Sequence, residues 1–470
     1  MTDAQAGLSA DNKRRLVAVS NRTAAGGESR AGGLAVAIWD TLVETQGLWI
    51  GWSGQLYPYP NSKVKVTEED GVLFGLSHLS KAEYDNYYLG YANSVLWPVM
   101  HNRLDLAVFN SAYFETYASI NARFAETVFE QSQPGDLIWV HDYHFFLLAK
   151  RLKALGWTQP CGFFLHIPFP APEVFRAIPD HKDLAEGLCA YDVIGLQTTS
   201  DVENLSRYLE EEFTAERLDA DTLKVNGQVV RLTHCPVGID VDGFSAAAID
   251  EPATKAAEKL ERFTGHRDLV IGVDRMDYSK GLPQRFEGMA TLFDQYPDLH
   301  GTISFTQIAP PSRSVVGEYV QLRQQLDELS GRINGDYGDL DWIPIRYLAR
   351  GYPREEIAGL YRLAKVALVT PLQDGMNLVA KEYVAAQDPE DPGVLILSQF
   401  AGAAEQMSEA LIINPHDNQA VAEAVREALN MPKAERKRRW RKLYDGIAAE
   451  DIGWWRQRFL QTLKDAGGAA

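Results

Sequence analysis

The sequence is poor in cysteine, short of basic residues relative to acidic ones, and free of long apolar runs. Three cysteines in 470 residues, Cys161, Cys189 and Cys235, lie far apart and form no CxxC pair. Zinc ribbons and thioredoxin-like redox sites therefore have no support, and the sparse, odd count suits a reducing compartment. Lys plus Arg number 46 against 64 Asp plus Glu, a formal charge of −18, whereas a nucleic-acid binder normally presents a net basic face. No stretch approaches the roughly 18 consecutive apolar residues that a membrane helix needs. The polar opening MTDAQAGLSADNKR has no signal-peptide core. Ten histidines include no HExxH or comparable spacing, so no metal centre is expected. These absences point to a cytoplasmic protein whose partners are small molecules, with no nucleic acid and no membrane.

What is present is an ordinary globular composition, 46% hydrophobic and 23% charged, which excludes disorder as the main state. The length suits about three units of roughly 150 residues or two larger ones. Short β-rich runs alternate with helical patterns. Leu16–Ser20, Leu137–His141, Gly162–His166 and Val193–Leu196 read as strands in the first half. Leu269–Val273, Thr302–Gln307, Ile343–Tyr347, Val366–Thr370 and Val394–Leu397 do so in the second. Helices are expected at Leu34–Glu44, Phe145–Leu155, Pro283–Leu292, Val316–Leu329, Arg354–Arg362 and Asn377–Gln387. Strand–helix alternation predicts an α/β fold with parallel sheets covered on both faces. The Pro- and Gly-punctuated segment Thr233–Phe244 (THCPVGIDVDGF) reads as a linker, which divides the chain into residues 1–236 and 237–470. From Lys433 to Lys464 the chain is basic and then aromatic, read as a solvated amphipathic helix pair, the alternative being domain packing, with the last helix back on residues 1–236.

Ligands of parallel α/β sheets bind beyond the carboxyl ends of the strands. There the sequence places Asn21-Arg22, His141-Asp142, His166, Asp274-Arg275 and Asp374. Five such ends spread over both halves suggest a crevice between two domains. Gly32-Gly33 precede a helical run and would expose backbone N–H groups to an anion or a sugar. Arg275 and Lys280, five residues apart, could meet one diphosphate. Asp374-Gly375-Met376-Asn377-Leu378 opens a helix, and Glu382 lies one turn beyond Leu378, placed to accept from a ribose diol. A flexible loop, a surface pair of cations, and an N-cap aspartate with an exposed glutamate remain the structural alternatives for these three features. The aromatic clusters Trp49–Gly54 and Tyr87–Trp97 fit either sugar contacts or core packing. The Asp240–Asp242 triplet and its two counterparts elsewhere read as chance in an acid-rich chain.

The motifs together resemble the trehalose-6-phosphate synthases of glycosyltransferase family 20. The resemblance is carried by SNR (Ser20–Arg22), AGGLAVA (Ala31–Ala37), GWSG (Gly51–Gly54), WVHDYH (Trp139–His144) and FFLHIPFP (Phe163–Pro170). It continues through DRMDYSKGLPQRF (Asp274–Phe286), QIAPPSR (Gln307–Arg313), GRINGDYG (Gly331–Gly338) and DGMNLVAKEYVAAQ (Asp374–Gln387). It implies the GT-B architecture, two Rossmann-like domains facing across a cleft, with the acceptor on the first and the nucleotide sugar on the second. It implies transfer of glucose, with retention, from a nucleotide-glucose such as UDP-glucose to glucose 6-phosphate, with no cofactor and no metal. Arg22, Tyr88, Trp97 and Arg313 would hold the acceptor, and Asp142 would orient the reacting sugars. Arg275 and Lys280 would neutralise the diphosphate, and His166 and Asp374 would bind the donor glucose. Gly32, Gly33, Tyr352, Met376, Asn377, Leu378, Val379 and Glu382 would complete the donor site. A homo-oligomer is expected, as is a separate phosphatase for the product, because no phosphatase domain follows. A family relative with another acceptor, such as glycerol 3-phosphate, a phosphorylase carrying pyridoxal phosphate, and a non-catalytic sugar-phosphate sensor are the competing readings.

Overall fold

The computed structural model describes residues 14–25, 33–59, 64–265, 267–312 and 317–466. Among them the chain builds two sheets. The first takes β1 (Leu16–Arg22), β2 (Leu48–Leu56), β3 (Val66–Glu69), β4 (Val72–Leu79), β5 (Leu137–His141), β6 (Cys161–Phe164), β7 (Val193–Leu196), β8 (Ala215–Arg217), β9 (Thr222–Val225) and β10 (Gln228–His234). Their order is β3-β4-β2-β1-β5-β6-β7-β10-β9-β8. The seven strands from β4 to β10 run parallel, and the antiparallel pairs lie at the two edges. The second sheet is wholly parallel, in the order β13-β12-β11-β14-β15-β16, from β11 (Asp268–Val273), β12 (Ile303–Ile308), β13 (Ile345–Leu348), β14 (Val366–Val369), β15 (Val394–Ser398) and β16 (Leu411–Ile413). Runs such as LIWVH, VIGL and VALV are buried along their whole length, as strands covered on both faces require. The segment between the sheets, from Cys235 to Asp240, holds no strand or helix.

The sheet pleat sorts the first core. Val17, Val19, Ile138 and Val140 face one layer with Tyr117, Phe124 and Leu152. Leu16, Ala18, Trp139 and Phe164 face the other, and that layer includes the last helix, Ile452–Ala466. Here the structure takes the alternative in the sequence reading. The C-terminal pair is not simply solvated: Trp455, Phe459 and Leu463 are wholly buried on the first sheet. Phe459 stacks on Trp139 with ring centres 4.5 Å apart, and Trp455 sits 4.9 Å from the same ring. The fit needs two glycines beneath it. A Cβ on Gly162 or Gly195 would come within 2.9 or 2.8 Å of the Phe459 ring. Each aromatic buried in this way contributes about 1.5–3 kcal/mol. Most of the basic residues of the preceding helix, Lys433–Ala449, keep to the surface, where Arg438 and Lys442 pair with Glu409.

Two crossings of the chain between the halves run side by side. The Ile452 N–H donates to the Ile239 carbonyl at 3.0 Å, and a Cβ on Gly238 would lie 2.3 Å from the Asp451 carbonyl carbon. Lys381 anchors the first crossing by donating to the Val237 carbonyl at 2.8 Å. Burial pushes that amine down to about 7.

Candidate active site

The carboxyl ends of β1, β5, β6, β11 and β14 bring most of the expected residues to one junction between the sheets. From the first sheet come Asp142 and His166. The His166 backbone N–H donates to Asp142 Oδ1 at 3.4 Å, and His141 Nδ1 lies 3.3 Å from His166 Nε2. Burial lowers His166 to about 4, so its ring is neutral across the physiological range and acts as a hydrogen-bonding group. Asp142 holds φ at +73° with ψ at 166°, a conformation that costs a non-glycine residue on the order of 1–3 kcal/mol and collects at functional sites.

From the second sheet comes the loop after β14. Lys280 donates to Asp374 Oδ2, and Asn377 Nδ2 donates to the same oxygen at 2.9 Å. Asn377 is left-handed, at φ +73°, and opens the helix Leu378–Ala386 without a side-chain cap. No side-chain cap therefore competes with a ligand for the first donors of that helix, of which the Ala380 N–H bonds the Asn377 carbonyl at 3.3 Å. Gly375 is indispensable at the junction: a Cβ there would lie 2.3 Å from the His166 carbonyl oxygen. Met376 is buried beneath the loop. Arg275 and Lys280 part company, Lys280 turning to Asp374 while exposed Arg275 reaches the first half, 5.8 Å from the Trp97 ring centre.

The far side of the first sheet's rim is a chain of rings. Arg22 lies 5.5 Å from the Trp52 ring, Trp52 5.9 Å from Tyr88, and Tyr88 stacks on His144 at 6.1 Å. Trp97 continues it, 5.8 Å from Tyr143. Tyr88 rides on a π-helix, Tyr84–Leu96, a rare element often found at functional sites.

On the second sheet a cavity of about 230 Å³ opens beside the helix start. Leu378, Val379, Glu382 and Tyr352 line it, with Asp240, Phe244, Arg354 and Tyr361. Burial raises the Glu382 carboxyl to about 7, against the opposing pull of Arg354. Arg354 also pairs with Asp240 at 3.5 Å, across the mouth from the linker.

Asp274, expected at the cleft, is instead fully buried and salt-bridged to Arg285 at 2.8 Å. It braces the sheet. His141 is likewise buried, behind His166. Gly33 begins the helix Gly33–Glu44, whereas Gly32 and Arg313 lie outside the described residues. Sequence reasoning missed Arg354 and Tyr361. Each is an ordinary helical residue whose place in the cavity exists only in three dimensions. Asp240 was passed over as a chance triplet and both caps a helix, through the Gly243 N–H at 2.9 Å, and walls the cavity. Among the described residues no group of three His, Cys, Asp or Glu side chains is placed as metal ligands would be.

The model of glycosyltransferase family 20 matches residues 8–465. The chain belongs to glycosyltransferase family 20. It is 43% identical over 452 residues to a trehalose-6-phosphate synthase of Sodalis glossinidius (strain morsitans), covering 96% of each chain. An α,α-trehalose-phosphate synthase (UDP-forming) of Burkholderia xenovorans, solved in complex with glucose-6-phosphate, superposes with a TM-score of 0.92 at 42% identity, over 96% of this chain and 100% of that one. A structure from E. coli bound with UDP-2-fluoro glucose gives the same TM-score and identity, over 96% of this chain and 99% of that one. For this family-20 chain the two facing sheets are thus the GT-B architecture of its relatives.

Proposed function

We infer that the protein is a retaining glucosyltransferase that moves glucose from UDP-glucose to glucose 6-phosphate and forms α,α-trehalose 6-phosphate. One observation carries this reading. Two chemically different subsites, the Arg22–Trp52–Tyr88 rim and the Glu382 cavity, flank a single junction where the His166 carbonyl, next to Asp142, lies against Gly375, next to Asp374. The relatives support it, since one holds glucose 6-phosphate and another a UDP-glucose analogue.

In this reading Arg22, Tyr88, Trp97 and Arg313 grip the acceptor. Arg22 supplies the phosphate charge partner, and the rings supply faces for sugar C–H surfaces. The nucleotide enters the cavity, with its ribose on Glu382, its base beside Tyr352, and Leu378 and Val379 along its flank. Gly32, Gly33 and the uncapped donors after Asn377 approach the diphosphate and the glucose. Asp374 and His166 take glucose hydroxyls, and Asp142 sets the angle between the two sugars. As the glycosidic bond to phosphate breaks, charge grows on the leaving diphosphate. Lys280 and Arg275 stabilise it, and a pre-placed cation lowers the barrier because its reorganisation is already done. Lys280 leaves Asp374 for the diphosphate when the donor binds, before the bond breaks, which frees Asp374 for the sugar. The acceptor hydroxyl attacks from the same face, and its proton passes to the departing phosphate oxygen. No protein nucleophile is required.

The two cations that this reading assigns to the diphosphate support a reaction without metal or other cofactor. The phosphate of the acceptor is untouched by the transfer, so its removal falls to a separate phosphatase. Three buried, unpaired cysteines fit a cytoplasmic setting, and no described helix is long and apolar enough to cross a membrane. A homo-oligomer completes the reading.

The test is a panel pairing UDP-, GDP- and ADP-glucose with glucose 6-phosphate, glycerol 3-phosphate and glucose on chelator-treated enzyme, products being identified by mass and NMR. An α,α-linked disaccharide phosphate from UDP-glucose and glucose 6-phosphate is expected. Product only with another acceptor would overturn the acceptor assignment. Loss of activity on chelation would overturn the metal-free one.

A further inference from the structure

Behind Tyr352 lies a second cavity, of about 190 Å³, between the helix Glu251–Thr264 and strands β12 and β13. Tyr352 is a wall common to this cavity and the nucleotide cavity. Lys259, Arg346 and Arg350 line it against one carboxylate, Glu356. Among the described residues none of these three cations has an ion pair. That is unusual in a chain of net charge −18, where most basic side chains have an acidic neighbour within reach.

Two of the cations are held in place by rings. The Arg346 guanidinium lies 5.1 Å from the Phe263 ring centre and that of Arg350 4.7 Å from Tyr352, whose hydroxyl also accepts from Arg350 Nε at 2.7 Å. Stacking occupies the face of a guanidinium and leaves donors along its edge. Thr306 is wholly buried, and its Oγ1 and Arg346 Nε both lack a hydrogen-bond partner. A buried polar group left unsatisfied costs free energy that a bound ligand would recover. Leu260, Leu348 and Leu360 supply an apolar remainder. Converging cations repel one another, and the general field of an acidic protein repels anions, so a local cluster of this kind is what an anion site requires.

We propose that this cavity binds a small organic phosphate, its phosphate against Lys259, Arg346, Arg350 and Thr306 and its apolar part on the leucines. An occupant bears on the outer side of Tyr352 and so alters donor binding on the inner side. The site itself stands independently of the transferase reading, and only its effect on the donor rests on it.

The experiment uses 1-naphthyl phosphate as a fluorescent probe of the full chain, with inorganic phosphate as comparator. The wild type binds the probe about tenfold or more tightly than the surface charge-reversal variant Lys259→Glu/Arg350→Glu, because two charge-assisted contacts are lost. The near-isosteric Thr306→Val weakens binding about threefold or more, and Lys280→Ala, in the transfer cleft, leaves it unchanged. Equal affinity in the charge-reversal variant overturns the proposal, as does loss of binding in Lys280→Ala, which would put the probe in the cleft. Inorganic phosphate binding as tightly as the probe overturns the apolar half. Failure of the transferase reading would appear separately, as a wild-type protein that binds the probe but forms no disaccharide phosphate from UDP-glucose and glucose 6-phosphate.

Discussion

The two sides of the cleft handle charge in opposite ways. On the first sheet the cation is wet: Arg22 is exposed and is held by ring contacts to Trp52, which in turn meets Tyr88. On the second sheet the charges are buried. Lys280 and Asp374 pair with side chains only 11% and 13% exposed, Lys381 sits in the core with its pKa near 7, and Glu382 is raised to about the same value. The acceptor phosphate carries its charge unchanged through the proposed reaction, so recognition is enough and solvent screening does little harm. The leaving diphosphate gains charge in the transition state, and an interaction with it is worth more where water is excluded. The fold hides one cation, Lys280, where charge changes, leaves Arg275 exposed to complete the diphosphate site, and keeps Arg22 in water where charge does not change.

Four experiments would break or sharpen that contrast. Trp455→Ala should destabilise the protein by about 3–5 kcal/mol, the cost of emptying a buried aromatic site, and its melting temperature should fall although the residue lies far along the sequence from the strands it covers. An unchanged melting temperature would detach the last helix from the first sheet. Lys280→Ala should lower kcat by about 100- to 1,000-fold with little change in KM for glucose 6-phosphate, because its partner is the leaving group. If the acceptor KM moved as much as kcat, the division of labour between the sheets would fail. Tyr88→Ala should do the reverse, raising KM for glucose 6-phosphate about tenfold, some 1.4 kcal/mol, while kcat at saturation changes little.

The smallest effect is in pH. Glu382 is raised to about 7 by burial, so in the free protein it is ionised above that value and protonated below it. A ribose diol donates to the ionised form. Donor affinity should therefore be full above pH 7 and fall as pH drops through 7, by about tenfold for each unit below, the limit for one linked proton. Glu382→Gln should bind the donor more weakly at pH 8 and lose that dependence. A donor KM flat from pH 8 to 6 in the wild type would show that Glu382 does not hold the ribose in its ionised form.

Much of this architecture is legible in the sequence because central strands are apolar from end to end. Leu137–His141 and Val193–Leu196 emerge at their observed bounds. The edges are harder. Strands β3 and β8 are short and largely solvent-facing, and β9 is four residues in which only Leu223 and Val225 are buried, so they leave no apolar run to read. Two hairpin signals were nonetheless available: Asp70-Gly71 and Asn226-Gly227 turn with all four residues at positive φ, as tight hairpins demand. The π-helix has no signature, because a period near 3.6 is what helical reading seeks. The C-terminal aromatics were outweighed by the basic run before them, although WW followed four residues later by F is the spacing of a buried stripe. At the cleft, the strand-end rule found Asp142, His166 and Asp374 but also drew in Asp274. A strand end does not say which way a side chain turns, and Arg285 claims that one.

The helix that closes the first sheet is made after both sheets. The Cys235 thiol meets the Trp455 carbonyl 220 residues further along the chain, so the whole second sheet is synthesised before Trp139, Phe164 and the glycine floor of Gly162 and Gly195 receive their cover. During translation that floor is an open apolar slab on a nascent chain, the kind of surface that chaperones hold and that aggregation exploits. The first half alone lacks this cover, and a ribosome that stops a few codons short of Phe459 releases a protein with both sheets made and one of them unroofed.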